Sequence, residues 1–334
     1  MRKVWLVLLV MVLCLAWAVP GWGASVTIRL AHELGPGHPK YDFANNLKKL
    51  VDERLKGKVE MRVYPQATLF KDVDALDAVQ AGNLEMAIPL VGNFAKWVPE
   101  TKAMSLPNLT PTAADADRLW NQSELGKFLK EKMKAKGIVY LGYTLTGGAD
   151  GGIMTRERIV TLAQIKGKKI RIHSPDAKPI VLAWGASPIA ISAAEIGTAL
   201  QRGTIDGAIT SAAHWSKCCQ DLAPYFTTRV LVVYTSHVLA MNKTFYDSLD
   251  PQVRTTLQQC VDEAAGMARK EKEELDKKFL AAAVKSAQEK GVYVLTDTEA
   301  KPWDEANYTT YSMFKDILGQ EVYDLAVKFI REKK

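Results

Sequence analysis

Position 171 carries the side chain best suited to binding chemistry. Arg171 stands in Lys169-Ile170-Arg171-Ile172-His173-Ser174-Pro175, an alternating strand halted by proline. Alternation sends Ile170 and Ile172 to one face, and Arg171 with His173 to the other. In an open α/β sheet the carboxyl ends of strands face the ligand crevice. A guanidinium there can hold a carboxylate through two parallel hydrogen bonds, which fixes position and orientation together. A surface ion pair or a packing stem is the other role open to it. Arg62, in Glu60-Met61-Arg62-Val63-Tyr64-Pro65, occupies what reads as the matching place in an earlier strand.

Catalytic signatures are missing. There is no Gly-x-Ser-x-Gly, His-Glu-x-x-His, Gly-x-Gly-x-x-Gly or Walker loop. His32, His38, His173, His214 and His237 never pair at metal-ligand spacing, so neither a metal nor a cofactor is expected. Thr146 to Gly152 holds four glycines, but no Gly-Lys-Ser/Thr follows. That stretch reads as a flexible crossing between lobes. Basic clusters such as Lys127 to Lys136 are interleaved with acids and apolar residues at helical spacing, which describes solvated helix faces and not a nucleic-acid stripe.

The elements that would carry Arg171 come in two similar sets. Gln80-Ala81-Gly82-Asn83-Leu84-Glu85-Met86-Ala87-Ile88 is echoed by Gln201-Arg202-Gly203-Thr204-Ile205-Asp206-Gly207-Ala208-Ile209. Each reads as a last helical turn, a glycine stop, an acid and a short apolar strand. The two proline-halted strands precede them, so the chain reads as building a strand–helix–Gly-turn–strand unit twice. Around these units it reads β-α-β-α-β from Ser25 to Pro89, helix over 113–136, and strands over 138–145, 229–234 and 237–242. The fold class is therefore α/β, with two lobes and a ligand cleft between them.

Met1-Arg2-Lys3, an apolar run to Val19 and Gly21-Trp22-Gly23-Ala24 form a secretory signal peptide over 1–24, cleaved after Gly23 or Ala24. The remaining chain of about 310 residues suits two ordinary domains. Lobe I is expected over 25–148 plus about 235–270, and lobe II over 149–234 plus about 290–334. A long helix over 250–290 would brace both lobes, with hinges at Gly147–Gly152 and Tyr234–His237. Outside the leader stand three cysteines, an odd number that implies no disulfide framework. Small, partly buried thiols are one arrangement; a bond from Cys218 or Cys219 to Cys260 is the other.

Several segments occur together, in order. They are Val59–Pro65, Gln80-x-Gly82-x-Leu84-Glu85, Phe94 to Pro99-Glu100, Gly167-Lys168-Lys169-Ile170-Arg171, Gly185-Ala186-Ser187-Pro188, Glu195 and Ala199-Leu200-Gln201-x-Gly203-x-Ile205-Asp206-Gly207. With the leader they resemble the extracytoplasmic solute receptors of TRAP (tripartite ATP-independent periplasmic) transporters, the DctP-like family, over nearly all of the mature chain. The resemblance implies a periplasmic-binding-protein-like fold closing over a small organic acid, which is then delivered to TRAP membrane permease subunits. It places the family's carboxylate-binding arginine on Arg171 and a pocket-lining loop on Leu90 to Phe94. A position that often carries an amide falls on Thr210-Ser211. A second arginine found in some members would fall on Asp150-Gly151-Gly152, where this chain has glycines. With one clear cation the pocket suits a monocarboxylate, and the glycines leave room for a bulky body. Phe94 and Trp215 are candidates to stack on that body; Asn93, Ser211, His32 and His214 are candidate polar contacts. The expectation is a monomeric periplasmic binding protein, not an enzyme. The alternatives are an exported two-lobe enzyme acting on a carboxylate, or a binding protein of another transporter or sensor class.

Overall fold

The computed structural model describes residues 25–148, 151–173, 175–231, 234–286 and 291–332. The expected signal peptide lies outside the described residues, as do residues 149–150 of one expected hinge. Eleven strands are described in chain order: β1 Val26–Ala31, β2 Val59–Tyr64, β3 Met86–Ala87, β4 Ile138–Gly147, β5 Gly151–Thr155, β6 Lys169–Ile172, β7 Ser187–Ala190, β8 Gly207–Ser211, β9 Tyr225–Thr228, β10 Tyr234–Asn242 and β11 Val292–Val294. They form two sheets, ordered β2-β1-β3-β10-β4 and β11-β9-β5-β8-β6-β7.

Each sheet contains the same kernel. In the first, β1 pairs in parallel with β2 and β3, and β10 runs antiparallel beside β3. In the second, β6 pairs in parallel with β7 and β8, and β5 runs antiparallel beside β8. Helices of the crossovers cover the faces, as parallel pairing requires. The glycine stops are real: Gly82 and Gly203 sit at φ 81° and 67°, the left-handed region where a side chain is strained.

This topology corrects one sequence reading. The strand that matches β6 is β1, and the strand that matches β2 is β7. Leu30 and Ala31 face Met86 and Ala87 in register, as Ile170 and Arg171 face Gly207 and Ala208. Arg171 therefore corresponds to Ala31 and not to Arg62. The acid of each echo serves the same purpose in both units. Glu85 accepts the backbone N–H of Arg29 at 2.9 Å, and Asp206 accepts that of Lys169 at 2.7 Å. Each carboxylate thereby ties the third strand of its unit to the central one, two residues before Ala31 or Arg171.

Other boundaries moved for identifiable reasons. The helix expected over 113–136 breaks at Ser123, whose hydroxyl accepts the Gly126 N–H and starts a second helix, Glu124–Ala135. Of the strand expected over 229–234, residues 232–233 lie outside the described ones; β9 precedes it, and Arg229 at φ 69° ends extended pairing there. The described chain ends in three helices, Asp297–Thr309, Tyr311–Leu318 and Gln320–Arg331. The last of them packs back on the earlier helices, where Arg118 lies over the Phe329 ring and Lys328 pairs with Glu124.

The long helix runs from Pro251 to Ser286. Its Leu257, Val261, Ala264 and Ala268 share a core with Leu141 and Leu239 of the first sheet. Further along, Phe279 meets Phe226 of the second sheet edge-on, at 6.4 Å between ring centres. One helix thus packs against both lobes. The helix also holds a crossing: Tyr234 donates to Asp276, which is paired in turn with buried Lys272.

Candidate functional site

A cavity of about 590 Å³ lies between the two sheets, within the usual range for small-molecule sites. The ends of β1 and β3 and their loops bring Glu33, His38, Leu90 and Asn93 to it from the first lobe. The ends of β6 and β8 bring Arg171, His173, Ile209 and Ser211 from the second. Both walls are therefore made at carboxyl ends of parallel strands.

Arg171 is 4 % exposed. Its Nε donates to the Ile191 carbonyl at 2.9 Å and its Nη1 to the Ile209 carbonyl at 3.1 Å. These acceptors fix the guanidinium plane but leave its charge uncompensated. Among the described residues no carboxylate pairs with it and Nη2 has no partner. Burial pulls its pKa down to about 10, opposed by the more distant charges of Glu33, Asp72 and Glu195. By contrast, Lys71 is held by Glu195 at 3.0 Å, and Lys40, behind the wall, is paired with Asp72. Burial and the neighbouring Glu33 push the Asp72 carboxyl up to about 7 despite Lys40.

Three contacts join the lobes across the cavity mouth. Ser192 donates to Glu33 at 2.7 Å, Lys71 bridges to Glu195, and Lys217 donates to the Pro36 carbonyl at 2.5 Å. The structure is thus a closed form.

The predicted site residues divide. Asn93, Arg171, Ser211 and His214 line the cavity together. Phe94 and Trp215 do not. Phe94 is fully buried in the main core, while Trp215 stacks on Phe226 at 5.3 Å and donates to the Ala223 carbonyl. His32 lies off the cavity, its ring edge-on to Tyr41. Neither of its ring nitrogens has a hydrogen-bond partner of good geometry, and burial with the Lys40 charge pushes its pKa down to about 3. Gly151 and Gly152 do line the cavity, but a Cβ on Gly152 would meet the Thr227 carbonyl at 2.3 Å. Close strand packing, and not ligand room, accounts for that glycine.

Sequence reasoning missed Glu33, His38 and His237. The signal was available, since the rule that picked Arg171 at the end of β6 also picks Glu33 beyond the end of β1. His237 comes from β10, where its Nε2 lies 3.1 Å from the Thr146 hydroxyl. Four of the five histidines line the cavity although none pair in sequence. Burial keeps His38 and His237 well below the ordinary histidine range, and burial with the Arg171 charge pushes His214 down to about 4. All three are neutral donors or acceptors near pH 7.

The cysteine expectation is overturned. Cys218 and Cys219 are bonded to each other, and Cys260 is a buried free thiol on the long helix, in the core of the first lobe.

The model for bacterial extracellular solute-binding protein family 7, DctP, matches residues 30–316. The C4-dicarboxylate-binding periplasmic protein DctP of Rhodobacter capsulatus is 28% identical over 312 residues, covering 92% of each chain. Among solved structures, a TRAP periplasmic solute-binding protein from Shewanella oneidensis with bound succinate superposes with TM-score 0.82 at 25% identity, covering 92% of this chain and 100% of that one. One from Pseudomonas aeruginosa PAO1 with bound L-malate gives TM-score 0.79 at 26% identity, over 86% and 99%. Two α/β lobes with a cleft between them fit these relatives, and the chain belongs to the DctP family of TRAP-transporter solute receptors, which are binding proteins and not enzymes.

Proposed function

We propose that this receptor captures a small monocarboxylate with an apolar body, using Arg171 as the carboxylate clamp. One observation carries the reading: a buried guanidinium, oriented by two carbonyls, keeps Nη2 unpartnered and has no carboxylate paired with it among the described residues. Leaving such a charge buried is costly, and a bound carboxylate would offset it. A second carboxylate on the solute is disfavoured, because Glu33, Asp72, Asp74 and Glu195 all line the cavity and Lys71 is already paired. The succinate and L-malate held by the relatives would therefore be poor ligands here. Leu34, Leu90, Ile191, Ile209 and Leu231 give the body an aliphatic wall, with Asn93, Ser211 and His214 as polar contacts. The aromatic stack first expected of Phe94 and Trp215 plays no part.

The protein works in the periplasm as a monomer, after export through the cleaved leader, and hands the solute to TRAP permease subunits. No helix among the described residues is long and apolar enough to cross a membrane. A thermal-shift panel of mono- and dicarboxylates, followed by calorimetry on the best ligand, tests the reading. Arg171→Met should weaken that ligand by ~2–5 kcal/mol, the cost of breaking a desolvated charge pair. An affinity within about threefold of the parent, or a dicarboxylate as the tightest ligand, would sink it.

A further inference from the structure

His214, Cys218 and Cys219 form a cluster of which solute binding uses only His214. The helix Ala212–Cys218 places His214 and Cys218 four residues apart, hence one above the other on one face. Cys218 Sγ lies 3.1 Å from His214 Nε2, and Cys219 follows as the helix C-cap. One potential ligand atom from each of the three lies within 4.8 Å of the other two. Cys218 is exposed, so reductant and ion have access, whereas Cys219 is buried.

We propose that these residues form a reducible Cys2His site for a thiophilic divalent cation. In the disulfide form the sulfurs are poor ligands. An external dithiol opens the site: the Cys218–Cys219 bond breaks, each sulfur gains one electron and one proton, and the dithiol becomes a disulfide. The arriving cation then displaces both thiol protons to solvent, binding two thiolates and the neutral His214 imidazole. Sulfur donors with one imidazole select zinc and softer ions over calcium or magnesium. Three protein ligands also leave a tetrahedral ion one open position. The spacing His-x-x-x-Cys-Cys was visible in the chain, but only the helix shows that the histidine meets the cysteines.

The site abuts the solute cavity, because His214 lines it. A divalent ion held by two thiolates and a neutral imidazole adds no net charge beside Arg171, but it engages the His214 that the solute would contact, so metal and solute should oppose each other reciprocally. That coupling rests on the proposed carboxylate reading; the metal site itself does not.

The test uses the full mature chain, reduced with a phosphine that is then removed under nitrogen, alongside untreated protein. Calorimetry with Zn2+ should give one ion per reduced chain and none on the disulfide form. Co2+ in its place should show thiolate-to-metal charge transfer. The double variant Cys218→Ser/Cys219→Ser should bind zinc at least about a hundredfold more weakly, and His214→Ala about tenfold. An unchanged melting temperature of the metal-free variants keeps a folding defect from mimicking the result. Reduced parent protein binding zinc no better than the double serine variant would overturn the proposal, as would cobalt without charge transfer. Either result leaves the Arg171 reading untouched, since acid binding is measured separately on the disulfide form.

Discussion

Ala31 and Arg171 occupy the same place in two copies of one backbone plan. Each stands in the central strand of a parallel three-strand kernel, opposite an alanine in register, Ala87 or Ala208. Each strand is tied two residues earlier by a carboxylate on a backbone N–H. Around Ala31 the first lobe neutralises its charge internally: Lys40 is buried against Asp72, and His38 and His237 are held neutral by burial. Around Arg171 the second lobe supplies only carbonyls. The repeat therefore builds the cleft, and the difference between its copies is that the second places a buried cation there with no carboxylate paired to it among the described residues.

The largest effect should come from breaking the self-sufficient copy. Lys40→Met would leave Asp72 buried without its partner, at a cost of ~3–5 kcal/mol in stability. Urea unfolding checks this, and the double variant Lys40→Met/Asp72→Leu should recover most of the loss. Arg171→Met should behave in the opposite way, because it removes a buried charge that no carboxylate among the described residues pairs with. Its unfolding free energy should equal or exceed the parent's by up to about 2 kcal/mol, even as solute binding is lost. If both variants lose similar stability, Arg171 is a structural ion-pair residue and the contrast between the lobes collapses.

A smaller effect concerns His32, next to Ala31. Its folded pKa, about 3, lies below the unfolded value near 6.5, so the unfolded chain takes up the proton first. Stability from this group is present above pH 6.5 and is lost as pH falls from there towards 3. Between pH 7 and pH 5 the loss should be about 2 kcal/mol. His32→Leu should flatten the slope of unfolding free energy against pH over that range. His38 and His237 will leave a residual slope of the same sign, since both are shifted down as well. A slope unchanged by the substitution would mean that His32 is solvated in the native state.

Much of this architecture could be read from the chain because its signals are local. The glycine stops, the short strands and the long uninterrupted helix each depend on neighbours a few residues away. Arg171 was legible as a facing residue from the alternation of Ile170 and Ile172. Which strands correspond was not, because two proline-halted strands look alike while pairing register is settled by distant partners. The aromatic candidates failed to reach the cavity for a related reason. Phe94 and Trp215 sit on apolar faces, and periodicity cannot tell a face that lines a cavity from one that packs in a core. Glu33, His38 and His237 converge only once β1 and β10 lie in one sheet.

The finest test of the repeat compares its two acids. Glu85 and Asp206 each accept a backbone N–H of a central strand, two residues before Ala31 or Arg171, so losing either acceptor should cost about 1–2 kcal/mol. Glu85 also receives Nε and Nη2 of Arg29 at 2.8 and 2.7 Å, whereas no side chain donates to Asp206 among the described bonds. Glu85→Ala should therefore exceed Asp206→Ala by roughly 0.5–1 kcal/mol, since the Arg29 pair is half-exposed and worth little. Unfolding of both variants in the same buffer, repeated at high salt, separates the terms. Salt should remove the excess at Glu85 and leave the common backbone contribution in both. Costs that stay unequal at high salt would mean that the two ties are not equivalent, and that the likeness of the two units ends at their glycine turns.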